Sequence, residues 1–111
     1  MKVLIVDDHP MVRKGLATTL SFEGQVKEIK EASSVKEAMD ILANFRPEVM
    51  VVDLMLGKED GLELVSKLRE KETRPKCIVL TSSSRKDDFL RAQEKGVDGY
   101  ILKEAFPEDI I

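Results

Sequence analysis

Asp7 and Asp8, Asp53, Thr81 and Lys103 each stand at the end of a short apolar run: residues 3–6, 49–52, 77–80 and 100–102 respectively. Runs this short and this continuously apolar read as strands buried on both faces, the pattern of a parallel sheet. Open α/β sheets bind ligands outside the carboxyl ends of their strands, so three acids, one hydroxyl and one ammonium should meet in a single crevice. Three carboxylates there repel one another unless a cation lies among them. An oxygen-rich set suits Mg²⁺, which takes one or two carboxylates plus phosphate oxygens and keeps several waters. Lys103 adds a fixed positive charge and Thr81 a rotatable hydroxyl donor, both fitted to phosphoryl oxygens. A carboxylate can itself be a nucleophile and form an aspartyl phosphate. Asp53, alone at the end of the most central run, is the best placed. Phosphoryl transfer asks chiefly for positioning and charge neutralisation, which a metal and a Lys supply.

Each residue has a plainer reading when taken singly. Asp7 or Asp8 would serve as a turn or helix cap, Thr81 as a β-favoured residue and Lys103 as a solvated charge. Their joint occurrence at the same ends of four buried strands outweighs coincidence. His9, beside Pro10, reads as a turn residue rather than a catalytic one, and Tyr100 as half-buried packing at the sheet edge. Met55 and the serines at 82–84 read as loop residues flanking the crevice.

The elements that must position these groups follow in order. A strand over residues 2–7 leads to a helix over about 11–22, with Val12, Leu16 and Leu20 on one stripe and Gly24 as a stop. Pro10 suits a first-turn position, and Gly15 weakens the helix interior by about 1 kcal/mol relative to Ala. Residues 26–32 form a strand with intermittent apolar positions and charges that suit an edge. Ser34 and Glu37 fit a capping box, opening a helix whose Val35, Ala38, Leu42 and Phe45 face the core until Pro47 forbids continuation. After the central strand and a loop from Gly57 to Gly61, a helix with Leu64, Val65 and Leu68 inward runs to about Lys71. A strand over 76–81 and a polar helix over about 85–95 follow; Phe89 and Leu90 are its only sizeable apolar groups, so it should be loosely held. Gly96 ends that helix, and Asp98-Gly99 turns the chain into the last strand.

This alternation of strand and helix predicts a flavodoxin-like α/β fold: a three-layer sandwich around a five-stranded parallel sheet with right-handed crossovers. The apolar first, third and fourth strands belong inside and the charged second and short fifth at the edges. Order 2-1-3-4-5 satisfies both. Pro107, with Glu108 and Asp109 after it, starts a fifth helix of about one turn, too short to hold itself together. The chain is therefore expected to be cut inside that helix, and to self-associate through the face the missing turns would cover.

Composition narrows the partners. With 111 residues, 42% hydrophobic and 35% charged, the chain makes one ordinary domain. A net charge of −3 gives no electrostatic reason to hold nucleic acid or an anionic membrane. No apolar run approaches the roughly 18 residues of a membrane span, and Cys77, the single cysteine, reads as a small buried hydrophobe. A soluble cytoplasmic protein is expected.

With these residues assembled, the chain resembles the receiver domain of bacterial two-component response regulators over essentially its whole length. The matching elements are Val6-Asp7-Asp8, Val52-Asp53-Leu54 with Asp60-Gly61 downstream, Leu80-Thr81-Ser82, and Gly99-Tyr100-Ile101-Leu102-Lys103. Any one is weak; the set in this order is highly specific. The resemblance implies that Asp53 accepts a phosphoryl group from a phosphohistidine on a sensor histidine kinase. It implies that Asp8 binds Mg²⁺ directly, Asp7 mostly through water and Met55 by its backbone carbonyl. Thr81 and Lys103 would contact the phosphoryl oxygens, and Tyr100 would rotate inward when Thr81 shifts. Asp7-Asp8-His9-Pro10 and Leu102-Lys103-Glu104-Ala105 look most like the subfamily whose receivers precede a helix-turn-helix DNA-binding domain. DNA would then be reached only through a domain absent from this sequence.

Two departures stand out. Gly57 occupies a position where the family often has proline, so the loop is expected to be more mobile. Lys103-Glu104 replaces the usual Lys-Pro pair, and a cis peptide costs about 2.5 to 4 kcal/mol without proline. Neither removes a reacting group. Added charge on Asp53 would draw Thr81 and Lys103 inward and bias the thinly anchored fourth helix, with dimerisation as the expected output. Rival readings are an aspartate-nucleophile phosphatase, an interaction module without the chemistry and a flavodoxin-like cofactor binder. Such phosphatases usually carry a second acid two residues after the nucleophile, where Met55 stands. None of the acceptor or metal acids is lost, as an interaction module would suggest. No Gly-rich phosphate loop follows the first strand, as a cofactor binder would need. The expectation is a signalling switch, not a turnover enzyme.

Overall fold

Val3 and Ile5 turn to one side of a sheet and Leu4 and Val6 to the other, and all four are buried. That two-residue period, apolar on both phases, allows a strand only in the middle of a layered structure. The computed structural model, which describes residues 1–68, 74–82 and 85–102, builds such layers. In chain order they are β1 (Lys2–Val6), α1 (Pro10–Ser21), β2 (Glu28–Ala32), α2 (Val35–Leu42), β3 (Val49–Asp53), α3 (Gly61–Leu68), β4 (Lys76–Thr81), α4 (Lys86–Glu94) and β5 (Gly99–Leu102). The strands form one parallel sheet in the order β2-β1-β3-β4-β5, the flavodoxin-like arrangement expected. Val3, Ile5, Val51 and Leu80 pack with Leu16 and Leu20 of α1, whereas Leu4, Val6, Met50, Val52, Cys77 and Val79 pack with α2, α3 and Ala92 of α4. No helix among the described residues is long and apolar enough to cross a membrane.

Local signals set most boundaries. Pro10 occupies the first turn of α1, where its missing N–H is no loss. The Ser34 side chain accepts from the Glu37 N–H at 3.1 Å, while Glu37 Oε1 accepts from the Ser33 N–H at 3.0 Å, one residue earlier than the box pattern predicts. α2 stops at Leu42 rather than before Pro47; Phe45 is still buried, but beyond the helix end. Gly57 heads a two-residue turn rather than a featureless loop: Met55–Leu56 pairs antiparallel with Glu59–Asp60, and Gly57 has φ +64°. A positive φ at the first turn position, with none at Lys58, is the pattern of a type II′ hairpin.

α4 differs from expectation in what holds it. Phe89 and Leu90, its large apolar groups, are both exposed, and the fully buried residue is Ala92. A small anchor lets the helix lie close to the sheet but contributes little apolar area. The expected end of α3 near Lys71, Lys103-Glu104 and the fifth helix lie outside the described residues.

Candidate functional site

β1 and β3 are neighbours, with Val6 opposite Val52, so their carboxyl ends deliver Asp7 and Asp53 side by side. Both are buried, at 1% and 3% exposure, and Asp8, with about 29% of its side chain exposed, forms the open wall. Two carboxylates of each other's sign at about 4 Å repel by on the order of 4 kcal/mol at an effective dielectric near 20, more than a marginally stable fold leaves uncompensated. The cluster therefore calls for positive charge.

His9 comes into it. Its Nδ1 lies 2.9 Å from Asp7 Oδ1, 3.1 Å from Asp8 Oδ1 and 3.4 Å from Asp53 Oδ2. Ligand atoms of Asp7, Asp8, His9 and Asp53 all fall within 4.8 Å of one another. The turn role expected for this residue is also filled, since the His9 N–H donates to Asp7 Oδ1 at 2.8 Å, but the ring belongs to the site. Only the position after Asp8 could have signalled this, and one His beside a Pro gives no direction for its ring.

The acceptor candidate is oriented by its own loop. Met55 N–H donates to Asp53 Oδ1 at 3.2 Å, which leaves Oδ2 toward the cluster. The Met55 side chain itself is exposed. Behind Asp53 the chain approaches very closely: a Cβ at Gly61 would stand 2.0 Å from the Asp53 carbonyl oxygen and 3.0 Å from Val52 Cγ1. Gly61 N–H in turn donates to Leu54 carbonyl oxygen at 2.8 Å. Asp60 caps α3 by accepting from the Leu62 N–H at 2.9 Å, and Glu59 Oε1 accepts from the Val35 N–H at 3.2 Å, at the start of α2. The hairpin after Asp53 is thus tied to two helices.

Thr81, 2% exposed, closes β4 opposite Leu102 of β5, at the same end of the sheet as the acids. Lys103, next after Leu102, lies outside the described residues. Tyr100 is half-buried on β5, its ring 5.3 Å from that of Phe89 in an edge-to-face contact. Burial first, and the Asp88 charge second, push its hydroxyl above the ordinary tyrosine range. Two further residues escaped the sequence reading, Arg13 and Arg91. Arg13 donates from Nη1 to the Asp7 carbonyl at 2.7 Å and from Nε to Glu31 Oε1 at 3.0 Å, pinning α1 to the end of β1. Arg91 of α4 pairs with Asp60, and Asp88 lies 3.6 Å from the same guanidinium. No local pattern marks contacts made across 18 or 31 residues of chain.

A family model for the response regulator receiver domain matches residues 3–111. Among curated proteins, the chain is 33% identical over 109 residues to the nitrate/nitrite response regulator protein NarL of Escherichia coli, covering 98% of this chain and 50% of that protein. It is 36% identical over 110 residues to the response regulator protein VraR of Staphylococcus aureus, covering 99% and 53%. The chain thus spans about half the length of the curated relatives it matches. Its fold is similar to the crystal structure of a response regulator protein from Burkholderia pseudomallei with a phosphorylated aspartic acid, a calcium ion and citrate. The TM-score is 0.89 at 28% identity, over 98% of this chain and 63% of that one.

Proposed function

The chain belongs to the response regulator receiver domains, signalling modules of two-component systems, and on that premise we propose that Asp53 is the residue through which this one is switched. In the proposed reaction Asp53 Oδ2 forms a bond to the phosphorus of a phosphohistidine on a sensor histidine kinase as the N–P bond breaks. The observation that carries the reading is the burial of the Asp53 carboxylate among Asp7, Asp8 and His9, with Oδ1 fixed by the Met55 N–H and Oδ2 turned toward the cluster. A pinned rotamer lowers the entropic cost of reaching the attacking geometry.

The donor set fits a hard divalent cation, and Asp7, Asp8, Asp53 and the Met55 carbonyl are the groups that would hold Mg²⁺. When bound, the ion neutralises the carboxylates and the phosphoryl oxygens they must tolerate. Thr81 would donate its hydroxyl to a phosphoryl oxygen, and Lys103 would meet another with its ammonium. The relative crystallised with a phosphorylated aspartic acid and a calcium ion supports this assignment.

The switch itself would run through Thr81 and α4. Thr81 and Tyr100 lie on one face of the neighbouring strands β4 and β5, so movement of Thr81 toward a phosphorylated Asp53 would be felt by Tyr100, whose ring packs on Phe89. α4, anchored by Ala92 and the Asp60 pair with Arg91, is the element such a shift can bias. The output would be a re-formed surface on α4 and β5 that promotes dimerisation. In the whole protein we place a DNA-binding transcription-regulatory domain after residue 111, consistent with relatives about twice as long, and the site of action in the cytoplasm. Addition of beryllofluoride with Mg²⁺ tests the switch: amide exchange in residues 86–102 and association should both change. An unchanged exchange pattern there would remove the switching claim.

A further inference from the structure

Resting on the cation site just described, we propose that His9 is a further ligand of that site and biases it toward imidazole-binding first-row metals over Mg²⁺. The geometry points to it. Cis ligands of an octahedral ion with bonds of about 2.1 Å stand about 3 Å apart. His9 Nδ1 stands 3.1 Å from Asp8 Oδ1 and 3.4 Å from Asp53 Oδ2, the separations of neighbouring donors around one ion. His9 is the extended residue before α1, its N–H held by Asp7 Oδ1, so the ring starts beside the acids, and Nδ1 also stands 2.9 Å from Asp7 Oδ1. The ring is also 56% exposed, so turning the Nδ1 lone pair inward and carrying the proton on Nε2 buries nothing polar.

Chemistry gives the direction of the bias. Carboxylates and carbonyls suit Mg²⁺, whereas an imidazole nitrogen adds little for Mg²⁺ and much for ions later in the first-row series. Four donors from Asp7, Asp8, His9 and Asp53 therefore make a mixed oxygen and nitrogen site, where the aspartates alone would make a purely oxygen one.

Mn²⁺ bound to the unphosphorylated wild-type chain tests coordination by electron spin echo spectroscopy. Modulation by a directly bound ¹⁴N should be present, and His9→Asn should abolish it. Calorimetry with Ni²⁺ and Mg²⁺ tests the bias: His9→Asn should weaken Ni²⁺ about tenfold or more, and Mg²⁺ by less than about threefold. Absence of modulation in the wild type, its persistence in His9→Asn, or equal losses for both ions would overturn the proposal. Exposure of His9 makes misfolding of the variant an unsuitable explanation for any loss. The mass gained by wild type on incubation with acetyl phosphate and Mg²⁺ is read separately. Modulation without phosphorylation would retain His9 as a ligand and reject Asp53 as the acceptor, and phosphorylation without modulation would do the reverse.

Discussion

Gly61 lies so close behind Asp53 that a Cβ there would stand 2.0 Å from the Asp53 carbonyl oxygen, closer than any real Cβ contact. The second near neighbour, Val52 Cγ1 at 3.0 Å, is buried in the core and cannot retreat. A methyl group would have to push the start of α3 off the strand that carries Asp53. Gly61→Ala is therefore expected to cost about 3 kcal/mol, the upper part of the usual range for overpacking, read from urea unfolding. A loss below about 0.5 kcal/mol, the level of a neutral surface change, would show that the approach is not a constraint.

Gly57 makes a different demand, on dihedral angle rather than space. Its φ of +64° is open to glycine, while the nearest atom to an added Cβ, Asp8 Oδ2, is a comfortable 3.6 Å away. Gly57→Ala should lower stability by about 1 kcal/mol, and Gly57→Pro, locked near −65°, by about 3 kcal/mol or more. Equal stabilities for the three proteins would mean that the hairpin after Asp53 does not hold this turn.

The pair between Arg91 and Asp60 ties α4 to the hairpin after Asp53. Both side chains are partly exposed, so Arg91→Ala should change global stability by no more than about 1 kcal/mol. Its effect should be local, with faster amide exchange across residues 86–94 and little change in β3. Uniform acceleration throughout the chain would argue against a dedicated tether.

Cys77 sets an alkaline signature. Burial, and secondarily the Asp98 charge, push its thiol from 9.0 up to about 11. Between those values the unfolded chain has released the proton and the folded chain has not. The contribution to stability is thus complete below about pH 9 and is lost as pH rises toward 11, by on the order of 2–3 kcal/mol. Wild type should lose that increment relative to Cys77→Ala over the window in urea titrations, and parallel curves would contradict it.

Much of this was legible in the sequence because buried parallel strands leave a mark that few other structures share. Continuous apolar runs gave β1, β3 and β4, and charged residues placed β2 at an edge. The runs also gave Asp7, Asp53 and Thr81 their common end of the sheet. What was not legible depends on side chains crossing between elements. His9 could be read as a turn residue, and is one, but the direction of its ring shows only in its contacts with Asp7, Asp8 and Asp53. Arg13 and Arg91 look like solvated helix charges until the chain folds Glu31 and Asp60 against them. For α4, apolar content was a poor guide to packing: alanine supplies the close contact while Phe89 and Leu90 remain at the surface.

Intact mass after incubation with acetyl phosphate and Mg²⁺ tests the central claim most directly, with Asp53→Asn and an EDTA-treated sample alongside. One added phosphoryl group on wild type, absent from both controls, is the predicted result. A group that still adds to Asp53→Asn would place the acceptor elsewhere, and addition that survives EDTA would contradict the requirement for a divalent cation among Asp7, Asp8 and Asp53.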